Sequence, residues 1–304
     1  MGKWAFFEGE FVPLDQAKIG IGTHAFNYGT GCFGGMRAYW NDEQEQLYIF
    51  RPKRHFKRFL ESCRLLNIAL PYSIADLIEI TLELLRRDNY RQDAYMRPIA
   101  YKATEDITPR LYDLEDAYAM FTRPQGNYIK LEVRAGTSSW RRVDDNSIPA
   151  RGKITGAYIN SSFARTEAYW NGYDEAIVLN QDGHVSEGSA ENFFMIRNGK
   201  LVTPSVQDNI LEGVTRATVM ELARDELGLE VVERSIDRSE LYLADEAFFT
   251  GTGAQVAAIV EIDHRPLGEG GTGPLTRQIQ ELYFSTVRGK NERYAHWVTA
   301  VYPR

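Results

Sequence analysis

A lysine between small residues is the first candidate for chemistry in this 304-residue sequence. Lys153 lies in the segment Arg151-Gly-Lys-Ile-Thr-Gly-Ala157, where Gly152, Gly156 and Ala157 place little side-chain bulk beside it. These neighbours predict room for a large, planar molecule to approach the chain. Many lysines are plain surface residues, so a functional role for this one needs support from the rest of the sequence.

Three later segments supply an acid, an anion site and hydroxyl groups. Glu187 lies between small residues in Val185-Ser-Glu-Gly-Ser-Ala-Glu-Asn-Phe193, at the end of a predicted hairpin strand. Leu211-Glu-Gly-Val-Thr-Arg216 begins a predicted helix, whose first N–H groups and Thr215 hydroxyl can bind an anion. Thr250-Gly-Thr-Gly-Ala254 predicts a glycine-lined turn after a buried strand.

The elements that must position these residues change in character along the chain. The first part predicts a hairpin over residues 4–12, a helix from Arg54 that cannot continue past Pro71, a helix that Ser73 and Asp76 cap, and strands at 94–102 and 117–122. The second part predicts a meander of hairpins with strands at 176–179, 192–196 and 201–202, then a helix ending at Gly228, a strand at 247–250 and a helix from Pro274 to about Arg288.

This pattern predicts an α/β (α+β) fold with two domains. The segment Arg123-Pro-Gln-Gly-Asn-Tyr128 separates the two halves and has the composition of a linker. We therefore expect an N-terminal α/β domain over residues 1–122, a linker over 123–133 and a C-terminal domain over 134–304.

Composition and spacing argue against several function classes. The 35 Lys and Arg against 42 Asp and Glu give a net charge of −7, which disfavours nucleic-acid binding. No apolar run reaches the length of a membrane span, and no leader segment is recognisable, so we expect neither membrane insertion nor export. Two cysteines make no disulfide framework and favour a reducing cytoplasm. The five histidines lack metal-ligand spacing, and the two G-x-G-x-x-G matches lack the strand and helix of a dinucleotide site.

The lysine, acid, helix N-terminus and hydroxyl turn, in this order, resemble the fold type IV family of pyridoxal-phosphate enzymes. The resemblance is closest to the branched-chain aminotransferases and covers nearly the whole chain. It includes His24-Ala-Phe-Asn-Tyr-Gly29, Phe33-Gly-Gly-Met-Arg37, the helix with Arg58 and the strand Tyr95-Met-Arg-Pro98. In that family the active site lies between the two domains and takes residues from a neighbouring subunit.

The resemblance implies roles around pyridoxal 5'-phosphate. Lys153 corresponds to the Schiff-base lysine, which also moves the substrate proton. Tyr158 corresponds to the tyrosine that bonds the phenolic oxygen, and Glu187 to the acid at the pyridine nitrogen, where a carboxylate keeps the ring protonated. The matching phosphate anchors are Arg58, Val214, Thr215 and Thr252.

The resemblance also implies a substrate site. Arg97 corresponds to the arginine that receives the distal carboxylate of glutamate, and the turn at Gly253 and Ala254 to the one that binds the substrate carboxylate. The other matching substrate residues are Tyr28, Phe33, Arg37 and Tyr95.

Two departures from the family pattern concern this substrate site. Gly34 stands where the family carries glutamate, and residues 102–111 lack the Gly-Val loop that caps a neighbouring subunit's pocket in many members. We therefore expect a roomier pocket, opened at Gly34, and a weak side activity on (R)-1-phenylethylamine.

The resulting expectation is a cytoplasmic transferase of branched-chain amino acid biosynthesis. It would move the amino group of L-leucine, L-isoleucine or L-valine to 2-oxoglutarate, with amino acids and 2-oxo acids as its small-molecule partners. The alternatives are an (R)-amine or D-amino-acid transaminase, an aminodeoxychorismate lyase, or a protein that keeps the fold without turnover, which the intact Lys153, Tyr158 and Glu187 disfavour. A homodimer is the smallest expected assembly, with a hexamer as the larger alternative.

Overall fold

One antiparallel sheet organises the first part of the chain. In the computed structural model, which describes residues 1–126 and 130–303, its strands lie in the order β17-β5-β4-β6-β7-β1-β2, and β3 pairs with β6. The strands are β1 (Trp4–Phe7), β2 (Glu10–Pro13), β3 (Gly31–Phe33), β4 (Met36–Asn41), β5 (Gln46–Phe50), β6 (Ala94–Lys102), β7 (Asp116–Pro124) and β17 (Val298–Ala300). The hairpin β1-β2 and strand β6 confirm the sequence prediction.

The helices of this part follow local signals in the sequence. They are α1 (His24–Tyr28), α2 (Pro52–Leu65) and α3 (Ile74–Asp88). Pro52 occupies the first turn of α2, where its missing N–H costs nothing. Ser73 and Asp76 form the predicted capping box of α3, each side chain bonding the other residue's backbone N–H. Helix α2 packs against β3 and α3.

A mixed sheet organises the second part, in the order β10-β9-β8-β15-β14-β11-β12-β13, with β16 paired to β15. Its strands are β8 (Glu132–Arg141), β9 (Glu175–Leu179), β10 (Val185–Gly188), β11 (Asn192–Arg197), β12 (Lys200–Thr203), β13 (Val231–Glu233), β14 (Glu246–Gly251), β15 (Gln255–Ile262) and β16 (Arg265–Pro266). Its helices are α4 (Tyr158–Trp170), α5 (Val214–Leu227) and α6 (Pro274–Val287). Short 3-10 helices lie at Leu14–Gln16, Thr155–Ala157, Val206–Asp208, Arg238–Leu243 and Glu292–Trp297.

The predicted meander is wrong in its strand order. The hairpins β9-β10 and β11-β12 both form, but β8, β15 and β14 lie between β9 and β11 in the sheet. The reason is that β8 pairs in parallel with β9 and with β15, and α4 forms the crossover from β8 to β9. Strand β8 itself was not anticipated, since its polar and apolar residues do not alternate cleanly.

The chain forms two compact units, and each unit is made of more than one segment of the sequence. The first unit comprises Met1–Gly126, Gly152–Gly156 and Ser285–Arg304, and the second comprises Asn127–Arg151 and Ala157–Phe284. The division into 1–122, 123–133 and 134–304 stays a prediction, and residues 127–129 of its linker lie outside the described residues. Among the described residues, no helix combines the length and the apolar character needed to cross a bilayer.

A single carboxylate joins three elements of the second unit. Asp263 follows β15 and accepts hydrogen bonds from the N–H and hydroxyl of Thr137 on β8, at 2.6 and 2.8 Å, and from the hydroxyl of Tyr242 at 2.7 Å. Burial raises the pKa of Asp263, but these hydrogen bonds, together with the charge of Arg238, outweigh it and hold the pKa below its ordinary value. The ionised carboxylate therefore contributes to the stability of the fold.

We expect Asp263→Asn to lower the free energy of unfolding by about 2 kcal/mol at neutral pH, the size of a hydrogen bond to a charged group. Because the folded-state pKa is depressed, this contribution is present above roughly pH 4 and is lost as the pH falls through the folded-state pKa. Urea unfolding at pH 7, 5 and 3 should therefore show a shallower pH dependence in the variant. The exposed Asp182→Asn is the charge-matched control, and an unchanged pH dependence in Asp263→Asn would contradict the assignment.

Candidate functional site

The backbone of Lys153 is held from two sides within the first unit. Its N–H donates to the Oγ of Ser62 on α2 at 3.1 Å, and its carbonyl accepts from the N–H of Phe33 on β3 at 3.0 Å. The Ser62 hydroxyl in turn donates to the carbonyl of Arg58 at 3.0 Å. This chain of bonds links the predicted catalytic lysine to the helix turn of a predicted phosphate anchor.

The glycines beside Lys153 serve close backbone packing. A Cβ added at Gly152 would lie 3.0 Å from Leu65 Cδ1, and one added at Gly29 would lie 2.7 Å from Gly156 Cα. Gly29 also has a φ of +66°, a conformation that favours glycine. These contacts give Gly152 and Gly29 a packing role, and the predicted room for a planar molecule beside Lys153 stays a prediction.

Three predicted site residues, Phe33, Arg97 and Tyr95, form a series of contacts that begins at the Lys153 amine. Its Nζ lies 5.1 Å from the centroid of the Phe33 ring, and the Arg97 guanidinium carbon lies 4.3 Å from the same centroid. Arg97 Nε donates to the hydroxyl of Tyr95 at 2.8 Å, and both residues lie on β6, the strand that pairs with β3. An apolar ring and a cation thus lie side by side near the amine.

Neighbouring side chains occupy the space beside the two glycines that follow Phe33. A Cβ at Gly34 would lie 2.6 Å from Pro98 Cγ, and one at Gly35 would lie 2.7 Å from the Tyr95 hydroxyl oxygen. The expectation that Gly34 opens space is therefore wrong, because the ring of Pro98 occupies it. Gly35 instead allows the Tyr95 hydroxyl, which orients Arg97, to approach the backbone.

Two other predicted substrate residues donate hydrogen bonds to backbone carbonyls, and one of them, Arg37, lies opposite Tyr95 in the β4-β6 ladder. Arg37 is buried, and its Nη2 donates to the carbonyls of Gln125 and Gly126, each at 2.7 Å. Tyr28 is partly exposed at the end of α1, and its hydroxyl donates to the carbonyl of Ile107. Their substrate roles stay predictions.

The surroundings of Lys153 are electrically positive. His55 on α2 is buried, and this burial lowers the pKa of its imidazole well below the ordinary value. The charges of Arg58, Lys153 and Arg51 lower that pKa further. His55 is therefore neutral at physiological pH, and the charge beside it comes from the arginines and the lysine, which suits an anionic ligand.

In the second unit, the buried Glu187 carboxylate is both paired with a cation and hydrogen-bonded. Its Oε1 pairs with Arg142 Nη2 at 2.9 Å, while its Oε2 accepts from Asn192 Nδ2 at 2.9 Å and from the Leu211 N–H at 3.1 Å. A buried carboxylate needs such partners to remain charged. The environment of Glu187 therefore suits a fixed negative charge.

Asn192 is one of the residues that sequence reasoning overlooked, as are Ser62 and Arg142. Besides its bond to Glu187, its Nδ2 donates to the Leu211 carbonyl at 2.8 Å, and a Cβ at Gly213 would lie 2.0 Å from its Oδ1. It also faces Thr250 across the β11-β14 ladder. An asparagine at the start of a buried strand was the available signal, since a buried amide needs several partners.

The other predicted residues of the second unit lie at element ends. Helix α5 begins at Val214 and ends before Gly228, whose φ of +62° gives the predicted left-handed stop. Its N-cap, Gly213, supplies no side-chain acceptor, although Val214 and Thr215 are buried, so the first-turn N–H groups fit an anion. Tyr158 begins α4, and Thr252, Gly253 and the buried Ala254 form the turn between β14 and β15.

Known proteins resemble this chain in sequence and in fold. The amino-transferase class IV family model matches residues 31–262. A probable branched-chain-amino-acid aminotransferase of Aquifex aeolicus (strain VF5) is 53% identical over 303 residues, covering 99% of this chain and 97% of that protein. The branched-chain aminotransferase of Thermoproteus uzoniensis, solved with norvaline, has a TM-score of 0.95 at 44% identity and covers 99% of this chain and 100% of its own. That of Thermobaculum terrenum, in PLP-form, has a TM-score of 0.95 at 36% identity and covers 99% of both chains.

We expect Asn192→Ala to lower the free energy of unfolding by about 2 kcal/mol, because Glu187 loses one buried charge-assisted hydrogen bond and the Leu211 carbonyl loses its donor. Urea unfolding of the protein measures this loss, with the exposed Asn146→Ala of the same unit as the matched control. Equal stability of the two variants would show that Asn192 does not organise the surroundings of Glu187.

Proposed function

Because the chain belongs to the class IV aminotransferases and, among them, to the branched-chain-amino-acid aminotransferases, we propose that it transfers the amino group of L-leucine, L-isoleucine or L-valine to 2-oxoglutarate. The observation that carries the proposal is the ring of Phe33, which has the Lys153 amine and the Arg97 guanidinium within 5.1 and 4.3 Å of its centroid. An aliphatic side chain suits the ring, and a distal carboxylate suits the guanidinium.

The described residues fit pyridoxal 5'-phosphate as the cofactor. In the first unit Arg58 would hold phosphate, and Lys153 would supply the amine that joins the cofactor. In the second unit the uncapped start of α5, with Thr215, would bind phosphate, as would Thr252, and Glu187 would face the pyridine nitrogen. Tyr158 would bond the phenolic oxygen. When bound, the cofactor supplies an electron sink that makes the substrate Cα–H acidic.

Lys153 acts as both base and acid in this proposal. Its Nζ accepts the proton from the substrate Cα and later returns a proton, in the manner of a general acid–base group. The bonds from Ser62 and Phe33 fix its backbone, so only the side chain has to move. Proton transfer then needs no rearrangement of the fold around residue 153.

The same pocket must accept a branched aliphatic chain and the carboxylate of glutamate. Phe33 supplies an apolar wall, and Arg97, oriented by Tyr95, supplies the charge for the dicarboxylate. Tyr28 and Arg37 remain proposed substrate residues, as do Gly253 and Ala254 for the α-carboxylate. We also propose a cytoplasmic location, which the two free cysteines favour.

The deciding assay supplies pyridoxal phosphate and 2-oxoglutarate and compares kcat/KM for L-leucine, D-alanine and (R)-1-phenylethylamine. L-Leucine should exceed the amine by at least ~10-fold, since Pro98 fills the space beside Gly34 and only a carboxylate substrate can use the turn at Gly253. Lys153→Ala should lose at least ~10²-fold in kcat because the proton acceptor is gone. The exposed Lys57→Ala is its control. A preference for D-alanine or the amine would favour the alternative transaminases.

Gly35→Ala should raise the KM for 2-oxoglutarate more than the KM for L-leucine. The new Cβ would displace the Tyr95 hydroxyl and disturb the bond that orients Arg97. We expect the KM for 2-oxoglutarate to rise about 10-fold, the worth of one hydrogen bond to a charged group, with a smaller change for L-leucine. Steady-state kinetics measure both constants, with Gly271→Ala, which has open space around it, as the matched control. Equal changes in the two KM values would contradict the proposal that Tyr95 orients Arg97 for 2-oxoglutarate.

We further propose that the protein self-associates, at least as a homodimer, through an apolar stripe on α4. The stripe comprises Ile159, Phe163 and Trp170, flanked by Tyr169 and by Trp140, whose ring stacks on Phe163 at 4.5 Å. It lies opposite the buried face of α4. These five side chains expose roughly 600 Å², at about 200 Å² for a whole aromatic side chain, against roughly 800 Å² per partner in a stable interface.

A second copy of the chain is the occupant that the charges of α4 favour. The charged residues of α4 are Arg165 and Glu167. Arg165 pairs with Glu175 at 3.0 Å, and Glu167 accepts from the N–H of Ser139 at 2.9 Å and from two serine hydroxyls. With its charges satisfied inside the unit, the stripe is neutral and can pair with itself in an isologous contact.

Trp170→Glu should therefore reduce the particle mass that light scattering measures, because a charge would be buried in the contact. The control is Leu243→Glu, which places the same charge on another exposed apolar residue of the second unit. An unchanged mass for Trp170→Glu would refute the stripe as the interface between copies. A monomeric unmodified protein would refute the dimer itself.

A further inference from the structure

The two cysteines meet in the interior of the first unit. Cys32 on β3 and Cys63 on α2 are both buried and free, and their Sγ atoms are 3.6 Å apart although they are 31 residues apart in sequence. Thiol sulfurs at this distance need to approach by about 1.5 Å to reach the bond length of a disulfide. Neither thiol has a role in the proposed aminotransferase reaction.

The residues next to both cysteines hold Lys153. Phe33, which follows Cys32, donates its N–H to the Lys153 carbonyl, and Ser62, which precedes Cys63, accepts the Lys153 N–H. Cys32 also forms an isolated β-bridge with Ile154. A bond between the two sulfurs would therefore join the strand and the helix that hold the backbone of the lysine.

We propose that Cys32 and Cys63 are an oxidation site, which closes to a disulfide and locks β3 to α2 beneath the Lys153 segment. The oxidant is a low-molecular-weight disulfide such as oxidised glutathione. One protein thiolate attacks the oxidant, forms a mixed disulfide and releases one thiol. The second protein thiolate attacks that mixed disulfide and releases the other thiol, so two protein thiols are oxidised and one small disulfide is reduced to two thiols.

Burial makes this reaction slow in the native protein. The hydrogen bond with Cys63 and burial raise the pKa of the Cys32 thiol, so the reactive thiolate is scarce. The oxidant must also wait for a local opening of the fold. Once formed, the bond is shielded from reductants by the same burial. The pair is thus a slow, protected cross-link, in contrast to an exposed redox sensor.

To test this proposal, the protein is incubated with oxidised glutathione. Its intact mass, melting temperature and amide hydrogen exchange are then measured. We expect a mass lower by about 2 Da with one intramolecular bond between Cys32 and Cys63 in peptide mapping. The melting temperature should rise by about 5 °C, because the unfolded chain carries a closed loop. Exchange at the amides of Phe33 and Lys153 should slow. None of these readouts depends on the proposed transaminase activity.

Cys63→Ala, treated in the same way, should show no mass loss and no oxidant-dependent change in melting temperature. If that variant does not fold, reduction of the oxidised natural protein under mild denaturant should restore the mass and reverse the shift. Failure of the natural protein to lose about 2 Da overturns the proposed bond. A bond that forms without raising the melting temperature or slowing exchange overturns its locking role.

Discussion

The close backbone packing of residues 152–156 against β3 and α2 is the constraint on which the rest of the proposed chemistry depends. Lys153 is anchored by Phe33 and Ser62, and Gly156 donates its N–H to the carbonyl of Gly29 at 3.2 Å. A Cβ at position 29 would lie 2.7 Å from Gly156 Cα, which explains the glycine at position 29. With its backbone fixed on both sides, the lysine can use its long side chain as the moving part.

Charge is arranged differently in the two units. The first unit gathers cations, since Arg51, Arg58 and Lys153 surround a neutral His55. The second unit buries a carboxylate, Glu187, whose partners include an arginine, an amide and a backbone N–H. Burying an ion without partners costs several kcal/mol, so these surrounding groups are as necessary as the charged residues themselves. This requirement explains why a neutral amide such as Asn192 matters to the proposed site.

The glycines after Phe33 show how a sequence departure can mislead. Loss of a side chain suggests a cavity, but at Gly34 the ring of Pro98 fills the space, and at Gly35 the Tyr95 hydroxyl does. The consequence concerns specificity. Tight packing beside Phe33 keeps Tyr95 and Arg97 in register, and this supports a dicarboxylate partner more than a widened pocket for bulky amines.

Local signals determined much of this protein from the sequence alone. The capping box of Ser73, the stop at Gly228 and the strand over residues 94–102 depend on neighbours within a few positions, and all were predictable. The residues of the proposed site came instead from resemblance to a family, because lysine, acid and helix N-terminus occur in the order typical of that family. Tertiary structure alone decided which strands lie side by side, what fills the space at Gly34, and that Ser62 and Asn192 support Lys153 and Glu187. These contacts join residues far apart in the chain or on different strands, and pairings of that kind depend on how the whole sheet and its helices pack, which no local spacing encodes.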